Sequence, residues 1–384
     1  MKILMIASWY ATKQNALLGS FFKEQAEGLV KMGHEVALVH VSVSDDFSDF
    51  FGKIEMSESG GVKIFTCTKT NKTPKLEKGR CIQRTAMLKK IYKRVLSKFG
   101  VPDIVNLRSS LHGYEALALC KKYGLPLFFM EHSSFVMTEN AGSPAIRRLR
   151  DVMEYGEVNA CVSSALAGIM APFGEVRVIP DAVDEHKFVP LAAADTRHTS
   201  GGVTFHAMGQ LRPIKDYGIL IDAFAMYVQK TGDTAARLNI AGMGGLKDSL
   251  QQKIAGYGLE KQCRLVGAIP RDETPMFMNK CDVFICSSTT ETLSCVLNEA
   301  ACCGKPLIST DCGGPRDIIT PQNGLLVPVH DVEAMCGAMI QMAGEYKNYN
   351  PDVIRSQTIE KFGAKTVYAQ LEKACADTLK GART

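Results

Sequence analysis

The chain contains no apolar run near the roughly 18–20 residues that cross a bilayer, so its 46% hydrophobic content is expected to build a core. Its opening, MKILMIASWYAT, has one Lys, a short apolar run and no small-residue cleavage site. It reads as a buried strand, and no secretory signal is expected. Cys-x-x-Cys pairs are absent, and the 13 cysteines are odd in number and irregularly spaced. This suits a reducing, cytoplasmic compartment better than a disulfide scaffold. Cys302 and Cys303 adjoin in an apolar run, as small core residues do. An Asp-x-Asp pair for a divalent metal is missing, as is the Gly-x-Ser-x-Gly elbow of acyl transfer. The stretch Gly242-x-Gly244-Gly245 falls short of a full Gly-x-Gly-x-x-Gly fingerprint and reads as a turn. Short-period repeats and low-complexity segments are also lacking, and with 22% charged residues wholesale disorder is excluded.

Large charge of either sign is missing too. A net charge of +5 is too modest for a dedicated nucleic-acid binder, and no nucleic-acid partner is expected. The excess is local. Residues 1–190 carry 25 Lys+Arg against 20 Asp+Glu, whereas residues 191–384 carry 20 of each. Residues 75–99 alone hold nine Lys/Arg and one Glu. Within them Leu88, Ile91, Tyr92, Val95 and Phe99 recur at helical spacing. Such a helix either lies on an anionic membrane surface or buries its apolar face in the core.

What is present is alternation. Lys2–Ala7 is a buried-strand run, Phe21–Met32 has helical spacing, and Glu35–Val43 is the next strand. The pattern recurs at Asp103–Leu107, Gly113–Tyr123, Leu127–Glu131 and Ala160–Val162. A second series follows, with strands at Thr204–Met208, Arg237–Ala241, Cys263–Val266, Asp282–Ser287 and Pro306–Ser309 and helices between them. Strands alternating with helices predict parallel sheets wound by right-handed crossovers. The expected fold class is α/β, with two Rossmann-like α/β/α domains facing across a cleft. Residues 1–188 form the first, 189–202 the linker and 203–360 the second; 361–384 form a terminal helix, with a return to the first domain left open. Ligands of open α/β sheets bind beyond the carboxyl ends of the strands, beside helix N-termini.

Four local features stand at such ends. In SSTTETLSCVLNEAACCGKP (Ser287–Pro306), a strand ends, a polar loop carries Glu291, and a helix carries Glu299. Backbone N–H groups of Thr292 to Cys295 at the helix start can hold an anion. The two glutamates could grip polyols on either side of it, the layout of a sugar nucleotide. On spacing alone, the favoured reading is that Glu291 is a first-turn cap and Glu299 a solvated-face residue. In HAMGQLRPIKD (His206–Asp216), Arg212 and Lys215 follow a strand end and suit a phosphate; they also read as two exposed loop cations. Gly19 lets backbone approach a ligand or simply makes the turn. His132, in FFMEHSS, is a strand-end histidine of either functional or structural kind; His112 shares the ambiguity.

Together these stretches resemble the GT-B glycosyltransferases, and glycosyltransferase family 4 in particular, from Met1 to about Val329. Glu291–Pro306 resembles the family's E-x7-E motif followed by EA-x-x-CGKP. VIPDAVDEHKFVP (Val178–Pro190) is similar to its IPNGVD-x-x-x-F-x-P segment, and Gly313–Gly314 with NGLLVPV (Asn323–Val329) to its GG and NGLLVP ending. Two departures stand out. Gln210 occupies the place where the family often has Arg, with Arg212 two residues on, and Asp181–Ala182 replaces the Asn-Gly pair.

The resemblance implies a retaining transfer of a hexose or N-acetylhexosamine from a nucleotide-diphosphate sugar, UDP preferred over GDP, to a saccharide or lipid-linked acceptor. It implies Glu291, Lys215 and His132 as the catalytic residues. Glu291 would contact donor-sugar hydroxyls, and backbone at Thr292, Leu293, Ser294 and Cys295 would hold the diphosphate. Glu299 would bind the ribose, Ala268 and Ile269 the base edge. Lys215, with Gln210 or Arg212 nearby, would meet the leaving diphosphate; His132 would stand near the anomeric centre and Gly19 on the phosphate side. No cofactor and no metal are expected, since a lysine can take over a metal's electrostatic role. A cytoplasmic protein, peripheral on a membrane through residues 75–99 and serving polysaccharide or lipopolysaccharide synthesis, fits this picture. A sugar-nucleotide epimerase of the same fold and a non-catalytic nucleotide-sugar binder are the rival readings.

Overall fold

In the computed structural model, residues 1–11, 18–44, 52–70, 77–191 and 201–382 are described. The first strand, β1 (Lys2–Ala7), is apolar along its length because a central parallel strand is covered on both faces. Ile3 to Ala7 are fully buried. After it come α1 (Ser20–Lys31), β2 (Glu35–Ser44), β3 (Ile54–Ser59), β4 (Val62–Thr70), α2 (Glu77–Lys98) and β5 (Ile104–Arg108). Then follow α3 (Gly113–Tyr123), β6 (Leu127–Glu131), α4 (Pro144–Tyr155), β7 (Val158–Cys161), α5 (Ser164–Met170) and β8 (Arg177–Val178). The eight strands order as β3-β4-β2-β1-β5-β6-β7-β8. All neighbours are parallel except the β3–β4 hairpin.

The second sheet is built from β9 (Thr204–Met208), β10 (Arg237–Ala241), β11 (Cys263–Gly267), β12 (Val283–Cys286), β13 (Leu307–Thr310) and β14 (Gly324–Val327). Its helices are α6 (Tyr217–Thr231), α7 (Lys247–Gly256), α8 (Thr274–Asn279), α9 (Cys295–Cys302), α10 (Val332–Glu345) and α11 (Pro351–Phe362). The order β11-β10-β9-β12-β13-β14 is parallel throughout. It is the doubly wound arrangement in which the order reverses between the first strand and the fourth. Phe205, Leu220, Phe224, Leu238 and Ile285 sit at the centre of its core. Both units are therefore Rossmann-like α/β, as the alternation predicts.

The divide falls earlier than the small, polar stretch suggests. One unit comprises Met1–Asp181 and Val367–Thr384, the other Ala182–Thr366. Phe188 is fully buried, and the Leu191 N–H donates to Asn279 Oδ1 at 2.9 Å, so the start of the expected 189–202 linker is already packed. Residues 192–200 lie outside the described residues. The last helix, α12 (Ala364–Gly381), contributes to the first unit from Val367 onward. There the Tyr368 hydroxyl donates to the Glu24 carbonyl at 3.2 Å, and Arg177 pairs with Asp377 at 2.7 Å.

The basic helix settles one expectation. Leu88, Ile91, Tyr92, Val95 and Phe99 are each no more than 5% exposed. The apolar stripe of α2 faces the core of the first unit and is not available to lie in a membrane. Lys78, Lys90, Lys93, Arg94 and Lys98 form its exposed side.

Two histidines are buried near the carboxyl end of the same sheet. His40 faces the Ala7 carbonyl through Nδ1 at 2.9 Å, and its ring stacks on that of His112 at 6.0 Å. Burial holds both below the ordinary histidine value, His112 far below, where His40, Arg84 and Arg148 add to the effect. As pH falls through about 6.5, the unfolded chain takes up protons that the folded chain refuses, so stability falls. Each histidine is expected to contribute up to about 1.4 kcal/mol per pH unit to this loss. Thermal unfolding at about pH 7.5 and about pH 5.5 checks it: His40→Gln and His112→Gln should each flatten the acid decline.

Candidate active site

In the second unit β9 ends at Met208 and β12 at Cys286, on the two sides of the point where strand order reverses. The loop after β9 holds Gly209, Gln210, Arg212 and a short turn, Pro213–Lys215. The loop after β12 runs from Ser287 to Ser294. Adjacent strands bring these loops side by side, and backbone bonds tie them. The Ser287 hydroxyl donates to the Lys215 carbonyl, and the Thr289 N–H to the Ile214 carbonyl, both at 2.8 Å.

Lys215 Nζ then lies 2.5 Å from Glu291 Oε1, and Ser288 Oγ donates to the same oxygen at 2.7 Å. Burial alone would push the Lys215 ammonium down; Glu291 outweighs it and holds the lysine above its ordinary range. Lys215 therefore keeps its positive charge at physiological pH. Thr310, at the end of β13, donates to the Ser288 carbonyl at 2.5 Å and fixes the loop from the other side.

Beyond Glu291 the chain turns sharply into α9. Ser294 adopts φ 82, a left-handed conformation that costs a serine free energy and collects at functional turns. The first-turn N–H groups beginning at Cys295 have no carbonyl within the helix, and the positive end of its dipole lies there. Thr292 and Leu293 are held from below by the Gly313–Gly314 segment. Glu291 N–H donates to the Cys312 carbonyl at 3.1 Å, and Gly314 N–H to the Glu291 carbonyl at 2.8 Å. A Cβ at Gly314 would come within 2.2 Å of the Thr292 carbonyl oxygen, so only glycine permits this approach.

Glu299 lies on α9, 5% exposed. Arg271 Nη1 donates to its Oε1 at 2.5 Å, and the guanidinium stands 5.2 Å over the Phe188 ring. Arg271 follows Ala268 and Ile269, the segment after β11, across the single residue Pro270, so the glutamate and that segment are joined through a short stretch of chain. Gln210 and Arg212 face each other, with Nη1 3.4 Å from Gln210 Oε1, and Arg212 is exposed. The Gly242–Gly245 stretch forms the turn after β10, where Gly242 N–H donates to the Gly267 carbonyl at 2.7 Å.

Gly19 and His132 belong to the first unit. Gly19 caps α1 at φ 70, and a Cβ there would lie 2.8 Å from the Trp9 carbonyl oxygen. His132, with its side chain 2% exposed, faces Asp181 Oδ1 through Nδ1 at 3.4 Å. Arg108 Nη1 lies 3.3 Å from its Nε2. A guanidinium can only donate, so Nε2 accepts and Nδ1 carries the proton. The rings of Phe21 and Phe22 flank the imidazole at 5.6 and 5.2 Å. Among the sequence-predicted residues, the second unit thus groups Lys215 with Glu291, and Thr292 to Cys295 with Glu299, while Gly19 and His132 stand in the other unit.

Four residues of these surroundings escape the sequence reading: Ser288, Thr310, Arg271 and Arg108. Ser288 lies three residues before Glu291, inside the same polar loop, and this proximity was the one signal available. The other three come from distant segments.

The description "Glycosyl transferases group 1" matches residues 193–350, and "Glycosyltransferase Family 4" matches residues 18–187. The chain is 27% identical over 252 residues to a D-inositol 3-phosphate glycosyltransferase of Pseudarthrobacter chlorophenolicus, covering 60% of each chain. It is 26% identical over 251 residues to the lipopolysaccharide core biosynthesis glycosyltransferase LpsE of Rhizobium meliloti, covering 63% of this chain and 69% of the relative. The chain thus spans about three fifths of the length of the first of these relatives. Anabaena HepE, solved in complex with UDP-glucose, shares the fold at a TM-score of 0.73 and 16% identity, over 98% of this chain and 99% of its own.

The close approach at Gly314 yields a stability test. Gly314→Ala should destabilise the protein by about 1–3 kcal/mol, because the methyl group displaces the Thr292 backbone. Gly337→Ala, in helix α10 with open space around it, should be neutral or stabilising by up to about 1 kcal/mol. Thermal unfolding of the two variants checks the contrast.

Proposed function

The chain belongs to the group 1, family 4 glycosyltransferases, and from that premise we propose that it moves a hexose or N-acetylhexosamine from a nucleotide-diphosphate sugar to a saccharide or lipid-linked acceptor. The observation that carries this reading is the Lys215–Glu291 pair beside the start of α9. A sugar nucleotide offers hydroxyls, a diphosphate and a ribose in sequence. Glu291 supplies a carboxylate to the sugar hydroxyls, and the α9 N-terminus receives the diphosphate. Glu299 turns to the ribose and the Ala268–Ile269 backbone to the base. UDP is the proposed nucleotide, supported by the likeness to a HepE structure that holds UDP-glucose.

The rate then depends on charge developing on the departing diphosphate. Lys215 and the helix N–H groups stabilise that charge in place, with no reorganisation as it forms. Arg212 is the nearest further cation along the loop. A bound diphosphate takes over the lysine, while sugar hydroxyls take over the glutamate, so neither charge of the pair is left alone. We propose that the acceptor attacks from the face the leaving group vacates, with retention of configuration, and that the reaction runs without a metal. His132 and Gly19 keep the roles that the resemblance implies as proposals for the first unit.

The relatives' names support a place in lipopolysaccharide or polysaccharide synthesis, with the protein working in the cytoplasm. A lipid-linked acceptor would be met at an anionic membrane surface. The exposed cations of α2 would make that contact by charge alone, so it should weaken steeply with salt.

Lys215→Met and Glu291→Gln should each lower kcat by about 10²–10³-fold in transfer from UDP-sugars. Glu291→Gln should bind UDP nearly as well as the parent chain. Addition of EDTA should leave the rate unchanged. Full transfer by Glu291→Gln would overturn the role assigned to that carboxylate.

A further inference from the structure

Three of the four non-glycine residues at positive φ among the described residues belong to the second unit: Asp216 at φ 46, Ser294 at φ 82 and His330 at φ 59. Such a backbone costs any side chain free energy and collects where function fixes it. Ser294 opens α9 beside the ion pair. Asp216 and His330 have no part in that turn, yet they face each other. His330 Nδ1 lies 3.1 Å from Asp216 Oδ2. A carboxylate only accepts, so Nδ1 carries the proton and donates it.

Asp216 directly follows Lys215. The short turn Pro213–Lys215 ends there, and α6 begins at Tyr217. The Ile214 and Lys215 carbonyls are already held by Thr289 and Ser287. The chain therefore has one residue in which to reverse into α6, and Asp216 does so with φ 46 and ψ 43. His330 comes after β14 and just before α10. The next residue, Asp331, caps that helix by accepting from the Ala334 N–H at 2.8 Å. Since α10 packs along α6, the imidazole is presented to Asp216 by a neighbouring helix start.

The pair is well solvated, with side chains 65% and 20% exposed. An ion pair this exposed adds little to stability, and glycine would adopt both backbone conformations without strain. Stability therefore does not account for these two side chains, whereas their place beside Lys215 does. An Asp216 relaxed to right-handed backbone would turn the Pro213–Lys215 segment relative to α6 and draw Lys215 Nζ away from Glu291. We propose that Asp216 and His330 form a clasp that holds the Lys215 turn, and that both are positioning residues for the transfer. The clasp is read from this contact; its effect on turnover rests on the transferase reading given above.

The test uses the full chain with Asp216→Gly, His330→Gly, both together, and Asp216→Asn. Glycine removes the side chain and keeps the left-handed backbone accessible, and thermal unfolding verifies that the variants stay folded. Asparagine tolerates the same backbone and accepts the same hydrogen bond. Acetic anhydride labelling, read by peptide mass spectrometry, reports on the clasp without turnover. Relative to the exposed Lys230, Lys215 should be acetylated about tenfold faster in each glycine variant, as its turn loosens. In transfer from UDP-sugars, kcat should fall about tenfold in each, with the donor KM moved by less than about threefold. The double variant should be no worse than either single one, because both remove one contact. Asp216→Asn should recover about half or more of the parent kcat. Unchanged Lys215 labelling in the glycine variants overturns the proposal, as does unchanged kcat. So do losses that multiply in the double variant, an Asp216→Asn as impaired as Asp216→Gly, or a kcat loss that merely follows a lower melting temperature. If labelling responds as expected but the parent chain transfers from no UDP-sugar, the clasp stands and the transferase reading falls.

Discussion

A lysine and a glutamate with side chains only 23% and 13% exposed are stable in that place only as a pair. Either charge left alone in a partly dry site would cost several kcal/mol. The loops that carry them must therefore stay in fixed register, and much of the surrounding structure serves that end. Ser287 and Thr289 bond the second loop to the first, and Thr310 reaches across from β13 to hold Ser288. The Cys312–Gly314 segment bonds Glu291 on both sides of its peptide. The left-handed Ser294 becomes tolerable because this frame over-determines the turn. Its consequence is a helix start aimed beside the ion pair, which is where the proposed diphosphate would sit.

Much of this frame was legible because parallel strands announce themselves. Thr204–Met208, Arg237–Ala241 and Leu127–Glu131 are continuous apolar or β-rich runs, and the structure begins and ends them where the sequence suggests. The Glu291–Glu299 stretch was legible through a family pattern, not through spacing, which on its own points to a plain helix cap. The β3–β4 hairpin was missed, since IEMSES reads as polar and has only its Gly60–Gly61 turn as a signal. The fate of α2 was undecided because an amphipathic stripe looks the same against a core or a membrane; packing against β2, β4 and α3 decides it. The end of the first unit was misplaced for a related reason. Residues 182–191 are short, partly polar and Pro-containing, yet Phe188 and Arg355 anchor them: the Arg355 guanidinium donates to the Glu185 and Phe188 carbonyls. Such long-range bonds leave no local trace.

The Asp181–Ala182 departure has a physical account within the first unit. An Asn-Gly pair suits positive φ, but neither residue adopts it here. Asp181 instead offers a buried carboxylate, 7% exposed. Gln25 donates to it at 2.6 Å, and His132 faces the same oxygen. Burial pushes this carboxyl up, yet His132, Arg108 and Gln25 together hold it below the usual range. The aspartate therefore orders the imidazole through Nδ1, while the fully buried Arg108 fixes Nε2 as the acceptor. Arg108 in turn is pushed down to about 10 by its burial, still far above physiological pH. An asparagine could accept the same hydrogen bond but could not offset the Arg108 charge.

The two units place their polar chemistry at equivalent points of similar sheets, yet they treat charge in opposite ways. In the second unit the lysine has one carboxylate partner, and a helix N-terminus beside it adds further positive potential. An anion arriving there gains both and releases the glutamate to hydroxyls. In the first unit Arg84 already has two carboxylate partners, Glu77 and Glu115.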